Sequence, residues 1–147
     1  MKLTLKQEKG AEKEVIIRCD QVDEEIRSLL EALAIRERRL SVFRGGEMRL
    51  LAPAEVLYCE SVDGRTFVYT AADMYTARTS LTQIAEHFVA NGFFRCSKSM
   101  VVNLRAMDSL RTGDNGRILV TLANGERILV SRRYARQLRD MLKGGID

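Results

Sequence analysis

Residues 93 to 104 read FFRCSKSMVVNL, and this stretch decides how the rest of the chain is read. Period-two alternation along FFRCS sends Phe94 and Cys96 to one face of a strand and Phe93 and Arg95 to the other. SKS is then a polar turn with Lys98 at its tip, and apolar MVV opens the next strand. Further along, ILVSRRYARQL again sets a serine beside cations. Ser131 is placed to N-cap a closing helix, SRRYARQLRDML, whose apolar face carries Tyr134, Leu138, Met141 and Leu142. Arg132 and Arg133 fall in its first turn, where the helix dipole disfavours cations. An incoming anion offsets that cost, because free N–H groups and two guanidinium groups together suit a phosphate. Two solvated arginines at a slight cost are the other reading, and this segment alone weighs the two equally.

Upstream of this stretch, from Met48, short strands follow one another closely: MRLL, EVLYCE, RTFVYTA and MYTART. Ala52-Pro53, Asp63-Gly64 and Ala72-Asp73 separate them, which is the rhythm of an antiparallel β domain. One helix interrupts it. Ser80 and Gln83 form an S-x-x-Q capping box ahead of Leu81, Ile84, Ala85, Phe88 and Val89, and Asn91-Gly92 supplies the stop. After FFRCS and VVNL come the strands RILVTL and RILV. Asn124-Gly125 between them predicts a two-residue hairpin, and Gly113-Asp114-Asn115-Gly116 a second turn.

The beginning of the chain has a different pattern. Leu3 and Leu5 alternate, VIIRC is apolar, and DQVDEEIRSLLEALAIRER places Val22, Ile26, Leu29, Leu30 and Leu33 at helical spacing. Asp20 is the expected N-cap, with Asp23, Glu24 and Glu25 in a first turn that suits carboxylates. RLSVF reads as a strand, and RGGE at 44 to 47 ends it. The expected division is therefore a β-α-β extension over 1–45 and a β-rich domain over 46–147.

The composition fits a soluble globular protein: 147 residues, 46% hydrophobic and 30% charged. Apolar runs are far shorter than the roughly 20 residues of a membrane-spanning helix, and MKLTLKQEKG lacks the apolar core of a signal peptide. A cytoplasmic location is expected. Cys19, Cys59 and Cys96 are odd in number and lack a C-x-x-C pair, which fits buried reduced thiols and not a disulfide framework or a zinc site. The net charge of +4 is uneven. Residues 1–90 hold 13 basic and 15 acidic side chains, whereas residues 91–147 hold 11 and 5. Such a basic region attracts polyanions, and without a lipid-like amphipathic segment beside it nucleic acid is favoured over membrane.

Catalytic signatures are missing. His87 is the single histidine and lies in the Ser80-capped helix, so neither a histidine-rich metal site nor H-E-x-x-H can be built. There is no phosphate-binding G-x-x-x-x-G-K-[ST] loop and no G-x-S-x-G elbow. A cysteine nucleophile would have to find His87 in space, with nothing local to support it. No enzymatic activity, cofactor or metal is expected.

From about Gly46 to Leu142 the chain resembles the LytTR domain, the DNA-binding module of many bacterial response regulators. The resemblance rests on EVLYCESVDGRTFVYT, the helix before NGFFRCSKSMVVNL, the strand pair around NG, and terminal VSRRYARQL, in that order. It implies a mainly β fold of about ten strands in small stacked antiparallel sheets with few helices. It also implies loops entering successive major grooves of double-stranded DNA. Three places are implied to touch DNA: the loop from Ser61 to Arg65, with Arg65 or Thr66; the turn Ser97-Lys98-Ser99; and the helix start, Arg132 and Arg133. Asp63 suits a phosphate poorly, and Asn103 is expected to stabilise its turn instead of touching DNA.

Regulators of this family usually carry a receiver of about 120 residues, which the segment before residue 46 is too short to hold, so no phosphorylation switch is expected. Similar short chains are found as stand-alone regulators, often encoded beside a small membrane protein, and that partner is implied by resemblance only. The extension is too small for its own core, so its apolar face is expected to be buried either against the DNA-binding domain of the same chain or, as the favoured arrangement, against a second chain through Leu29, Leu30 and Leu33 in a homodimer. A competing reading makes the chain a protein-interaction or ligand-sensing module with a merely solvated basic face. Single-strand or RNA binding would need exposed aromatic platforms, and aromatics make up only 6% of the residues.

Overall fold

A computed structural model describes residues 1–113 and 115–144. The first 23 contain no helix or strand, only a turn at Lys9-Gly10 and a bend at Asp20-Gln21. Leu3 and Leu5 alternate as the sequence suggests, yet no strand pairs with them, and the leading strand of the expected β-α-β unit is absent here. Helix α1 (Glu24–Arg36) starts three residues later than expected. Asp23, not Asp20, caps it, because its Oδ1 accepts the otherwise free N–H of Ile26 at 3.0 Å. Val22 consequently lies outside the helix and is 53% exposed. At the other end Arg38 N–H bonds to Ile35 O at 3.0 Å and Arg39 N–H to Ala34 O at 2.7 Å, with Arg38 in the left-handed region. That is the Schellman closure, made with arginine where glycine is usual.

β1 (Leu40–Arg44) and β2 (Glu47–Leu51) form a hairpin about Gly45-Gly46, whose φ values of 58° and 79° require glycine or a tolerant substitute. The expected division after residue 45 falls inside this turn. β1 is nevertheless hydrogen-bonded to β5 (Met74–Ala77), so it lies within the sheet formed by the later strands.

That sheet has seven strands in the order β2-β1-β5-β4-β3-β7-β6, all antiparallel. Its other members are β3 (Val56–Val62), β4 (Arg65–Thr70), β6 (Phe93–Ser97) and β7 (Met100–Asn103). A second sheet, β10-β9-β8, comprises β8 (Met107–Thr112), β9 (Ile118–Leu122) and β10 (Arg127–Val130). The mainly β architecture and its ten antiparallel strands match the expected fold class. Helix α2 (Leu81–His87) has the expected Ser80–Gln83 capping box, and Gly92 closes the following turn at φ 88°.

Two cores flank the seven-stranded sheet. On one side Phe93 and Val101 join Leu81, Ile84 and Phe88 around α2, together with Leu40, Val42, Leu51, Cys59 and Val68. On the other side Phe94, Cys96 and Val102 pack against β9, β10 and helix α3 (Arg132–Gly144). The alternation read in FFRCS is thus real, and both of its faces are covered. This is why MVV is apolar without interruption.

Three details differ from expectation. β8 was not anticipated: it is an edge strand whose Asp108, Ser109, Arg111 and Thr112 are exposed, leaving only Met107 and Leu110 as an apolar signal. The β9–β10 connection is a three-residue loop, with Gly125 N–H bonded to Leu122 O at 2.9 Å and Gly125 at φ 90°. Cys19 is exposed, whereas Cys59 and Cys96 are buried. Of the turn expected at Gly113-Asp114-Asn115-Gly116, Asp114 lies outside the described residues.

Candidate nucleic-acid interface

The three segments implicated by the sequence meet at one end of the large sheet. β3 and β4 connect through Asp63-Gly64, with Val62 opposite Arg65. Both turn residues have positive φ, 51° and 76°, the two-residue geometry that matches strand twist. β3 also pairs with β7, and beyond their last ladder pair Ser61 N–H donates to Ser99 O at 2.8 Å. This bond holds the 63–64 turn beside the 97–99 turn. On the far side of β6, Ser131 N–H donates to Cys96 O at 3.0 Å, which fixes the start of α3 next to Ser97. A hairpin tip, a hairpin turn and a helix start, up to 70 residues apart in sequence, therefore become neighbours through two backbone hydrogen bonds.

Lys98 and Ser99 form the tip between Ser97 and Met100, and both are exposed. Arg95 supports this turn from below: its Nε donates to Ser97 O at 2.8 Å and its Nη2 to Lys98 O, while Nη1 reaches Thr82 Oγ1 at 3.3 Å. Ser99 N–H adds a bond to Ser97 Oγ at 3.2 Å. With its carbonyls held by a guanidinium, the turn presents Lys98 with little backbone freedom to lose on binding. Arg132 and Arg133 are exposed in the first turn of α3. The Arg133 guanidinium lies 5.4 Å from the Tyr134 ring centroid, a cation–π contact.

Arg65 is exposed and sits 5.6 Å over the Phe67 ring, two residues along the same face of β4. Thr66 points the other way, toward the face of Val68, and is 8% exposed. Asn103 is 2% exposed at the opposite end of β7. Its Nδ2 donates to Val56 O at 2.8 Å and Pro53 O at 3.3 Å, and its Oδ1 accepts from Arg105 N–H at 3.0 Å. It therefore pins the start of β3 to the end of β7, a structural role, but not at the 97–99 turn, which it does not touch.

The buried thiols offer no nucleophile, since burial pushes both Cys59 and Cys96 up to about 12. Among the described residues, no helix is long and apolar enough to cross a membrane.

Sequence reasoning did not single out Arg27, Arg78 or Arg95 as parts of this end of the molecule. All three, with Arg65 and Lys98, line an open cleft of about 660 Å³ between α1 and the 97–99 turn. Arg95 could have been suspected from its place one residue before the alternation ends in a polar turn. Arg27 and Arg78 carry no local signal, because each reads as an ordinary solvated cation.

The LytTr DNA-binding domain family model matches residues 46–143. Among curated proteins, the sensory transduction protein LytT of Bacillus subtilis (strain 168) is 26% identical over 106 residues, covering 72% of this chain and 44% of that protein. LytR of Streptococcus agalactiae is 30% identical over 80 residues, covering 54% and 32%, and YpdB of Escherichia coli (strain K12), a transcriptional regulatory protein, is 26% identical over 89, covering 60% and 36%. The chain thus spans less than half the length of these relatives. A solved LytTr DNA-binding domain from Bacillus cereus superposes with a TM-score of 0.67 at 25% identity, over 71% of this chain and 95% of that one. With sequence model and fold agreeing over the same region, the chain belongs to the LytTR DNA-binding domain family.

Proposed function

We propose that this protein is a transcriptional regulator that binds double-stranded DNA sequence-specifically through the loop end of its large sheet. The observation that carries the reading is the convergence of the 63–64 turn, the 97–99 turn and the start of α3, joined by the Ser61–Ser99 and Ser131–Cys96 bonds. In this reading Arg133 reaches a guanine edge in the major groove, where a guanidinium makes two hydrogen bonds to one base. Ser97, Lys98, Ser99 and Arg132 take phosphate oxygens, Arg65 approaches the backbone from the first turn, and Thr66 supports Arg65 from within the sheet. The turns are spaced along one end of a rigid sheet, so successive grooves are the natural docking sites. The chain acts in the cytoplasm, and it binds and does not catalyse.

The test is selection of binding sites from random duplexes by the full chain, followed by competition with unrelated DNA. A recurrent short site that resists the competitor supports the reading. Uniform, salt-sensitive binding to every duplex would reduce it to a generic basic face.

Residues 1–45 are proposed as a homodimerisation extension to the DNA-binding unit of 46–147. Leu3, Leu5, Val15 and Ile16 are 89%, 93%, 71% and 68% exposed, which supports a protein partner for this segment. Leu29, Leu30 and Leu33 are half-buried, so contacts through α1 would use only their outer edges. A second copy suits the segment because linking two DNA-binding units raises affinity for paired sites. The small membrane protein implied by resemblance is the alternative occupant. Sedimentation decides: a full-length monomer at micromolar concentration removes the dimer.

A further inference from the structure

We infer that the cleft between α1 and the 97–99 turn is a second contact site for the DNA backbone, in which Arg27 and Arg78 grip a phosphate that displaces Glu24. The inference rests on the DNA-binding reading above and extends it to the N-terminal helix.

Five cations line the cleft, Arg27, Arg65, Arg78, Arg95 and Lys98, and no carboxylate among the described residues does. So dense a group of like charges is costly unless an anion neutralises it. One anion does so in part. Glu24 Oε1, just outside the cleft, accepts from Arg27 Nη1 at 3.2 Å and from Arg78 Nη1 at 3.3 Å. A single carboxylate oxygen thus holds two guanidinium groups from parts of the chain 51 residues apart. These two hydrogen bonds, Arg27 first, keep the Glu24 carboxyl below its ordinary range. Yet the Glu24 side chain is 76% exposed, and ion pairs this open to water are weak and exchange readily.

A phosphate is the better partner for the same site. It offers more acceptor oxygens to two planar forks than the one oxygen now shared, and each fork can bind it bidentately. Arg78 is already positioned, lying 5.5 Å over the Phe43 ring. Hydroxyl donors are also at hand, since Ser61 and Thr82 border the same space. The backbone of a bound duplex is the source favoured here, because Lys98 and Arg65 belong both to this cleft and to the loop end proposed to meet DNA. A strand followed past Lys98 away from α3 runs into the cleft. The interface is then longer than the three loops, and α1 becomes part of it.

The experiment measures affinity of the full chain for its selected duplex against salt concentration, for Arg27→Gln, Arg78→Gln and Glu24→Gln, with Lys98→Ala and Arg133→Ala as references. Thermal unfolding of each variant establishes that it is folded. Arg27→Gln and Arg78→Gln should each lower the slope of log affinity against log salt by about one and weaken selected and random DNA alike. Glu24→Gln should raise affinity several-fold at low salt, because the arginines no longer have to exchange a partner. Unchanged slopes in both arginine variants, with a reduced slope in Lys98→Ala, would overturn the cleft contact while leaving the DNA reading intact. If the two reference variants also bind as the parent does, the DNA reading fails and this inference with it. Saturable binding of inorganic phosphate that both arginine variants abolish, without any change of slope on DNA, would assign the cleft to a free anion and likewise overturn it.

Discussion

The loop end of the large sheet and the N-terminal segment are both exposed, but they are exposed in different ways. At the loop end each presented side chain stands on a backbone held by named bonds: Arg95 under the 97–99 turn, Ser61 to Ser99, Ser131 to Cys96. Its exposed groups are mostly polar or cationic, with Val62 and Asp63 as exceptions. In residues 1–23 the exposed groups include Leu3, Leu5, Val15 and Ile16, on backbone with no ladder. The first surface is pre-organised for an anion; the second has apolar side chains and a backbone that still lacks partners. Between them stand α1 and β1, which precede the family match at residue 46 but are packed into the sheet domain.

The largest effect should separate these three zones. Removing residues 1–22, which leaves the Asp23 cap of α1 in place, takes away almost no buried surface, so urea unfolding should give a stability within about 0.5 kcal/mol of the full chain. Removing residues 1–45 also deletes Leu40 and Val42, which are 2% and 0% exposed, and uncovers the β5 edge. Loss of the two side chains alone should cost about 3–6 kcal/mol. Equal stabilities for the two truncations would show that the family boundary is also the physical one.

Why part of this arrangement was readable in the sequence follows from individual residues. Phe93, Phe94, Cys96, Val101 and Val102 occupy strands covered on both faces, so each side chain had to be apolar, and the polar SKS between them stood out as a turn. Ser80 and Gln83 announce α2 because a capping box is local chemistry. β8 was missed because an edge strand can be mostly polar. The cap of α1 was misplaced because Asp20 and Asp23 are both suitable residues, and only the bond to Ile26 distinguishes them. Arg27 and Arg78 could not be assigned to the loop end, since only tertiary folding brings them to one carboxylate oxygen. The candidate DNA contacts at residues 63 to 66 came from resemblance, not from any local pattern there.

Two substitutions of similar size should act on different observables, one at the end of β7 and one in the first turn of α3. Asn103→Ala leaves Val56 O without its 2.8 Å donor in a buried site, which should cost about 1–3 kcal/mol of unfolding free energy. Arg133→Ala removes nothing buried and should leave stability within about 0.5 kcal/mol. It should instead weaken binding to the selected site by about 1–3 kcal/mol and relax preference at one base position. Equal loss on selected and random DNA would make Arg133 a phosphate contact.

Lys98→Ala should have a smaller and less selective effect. The side chain is fully outside the core and its turn is held by Arg95, so the backbone should keep its shape when the ammonium is lost. One released counterion fewer should reduce the slope of log affinity against log salt by about one on every duplex. A slope that does not move would take Lys98 off the backbone, and with it the idea that the best-held turn is the one that positions the domain.

The smallest expected effect concerns the intermediate zone and asks whether α1 unfolds with the sheet. Arg38 closes α1 at φ 54°, a left-handed conformation that costs a non-glycine residue about 1–2 kcal/mol. Its amide still donates to Ile35 O, and the closure continues through Arg39 N–H to Ala34 O, so glycine can take the position without losing a backbone bond. Arg38→Gly should relieve the steric cost while loosening the unfolded chain, for a net gain of about 0.5–1 kcal/mol. That gain reaches the global unfolding transition only if α1 belongs to the same cooperative unit as the sheet, which the burial of Ala34 beside β1 supports. A helix that frays independently would absorb the substitution locally. Urea unfolding followed by a signal from the β core should therefore move to a higher midpoint with an unchanged slope. If the core midpoint stays where it is, α1 is only loosely attached, and the ordered part of the molecule begins at β1.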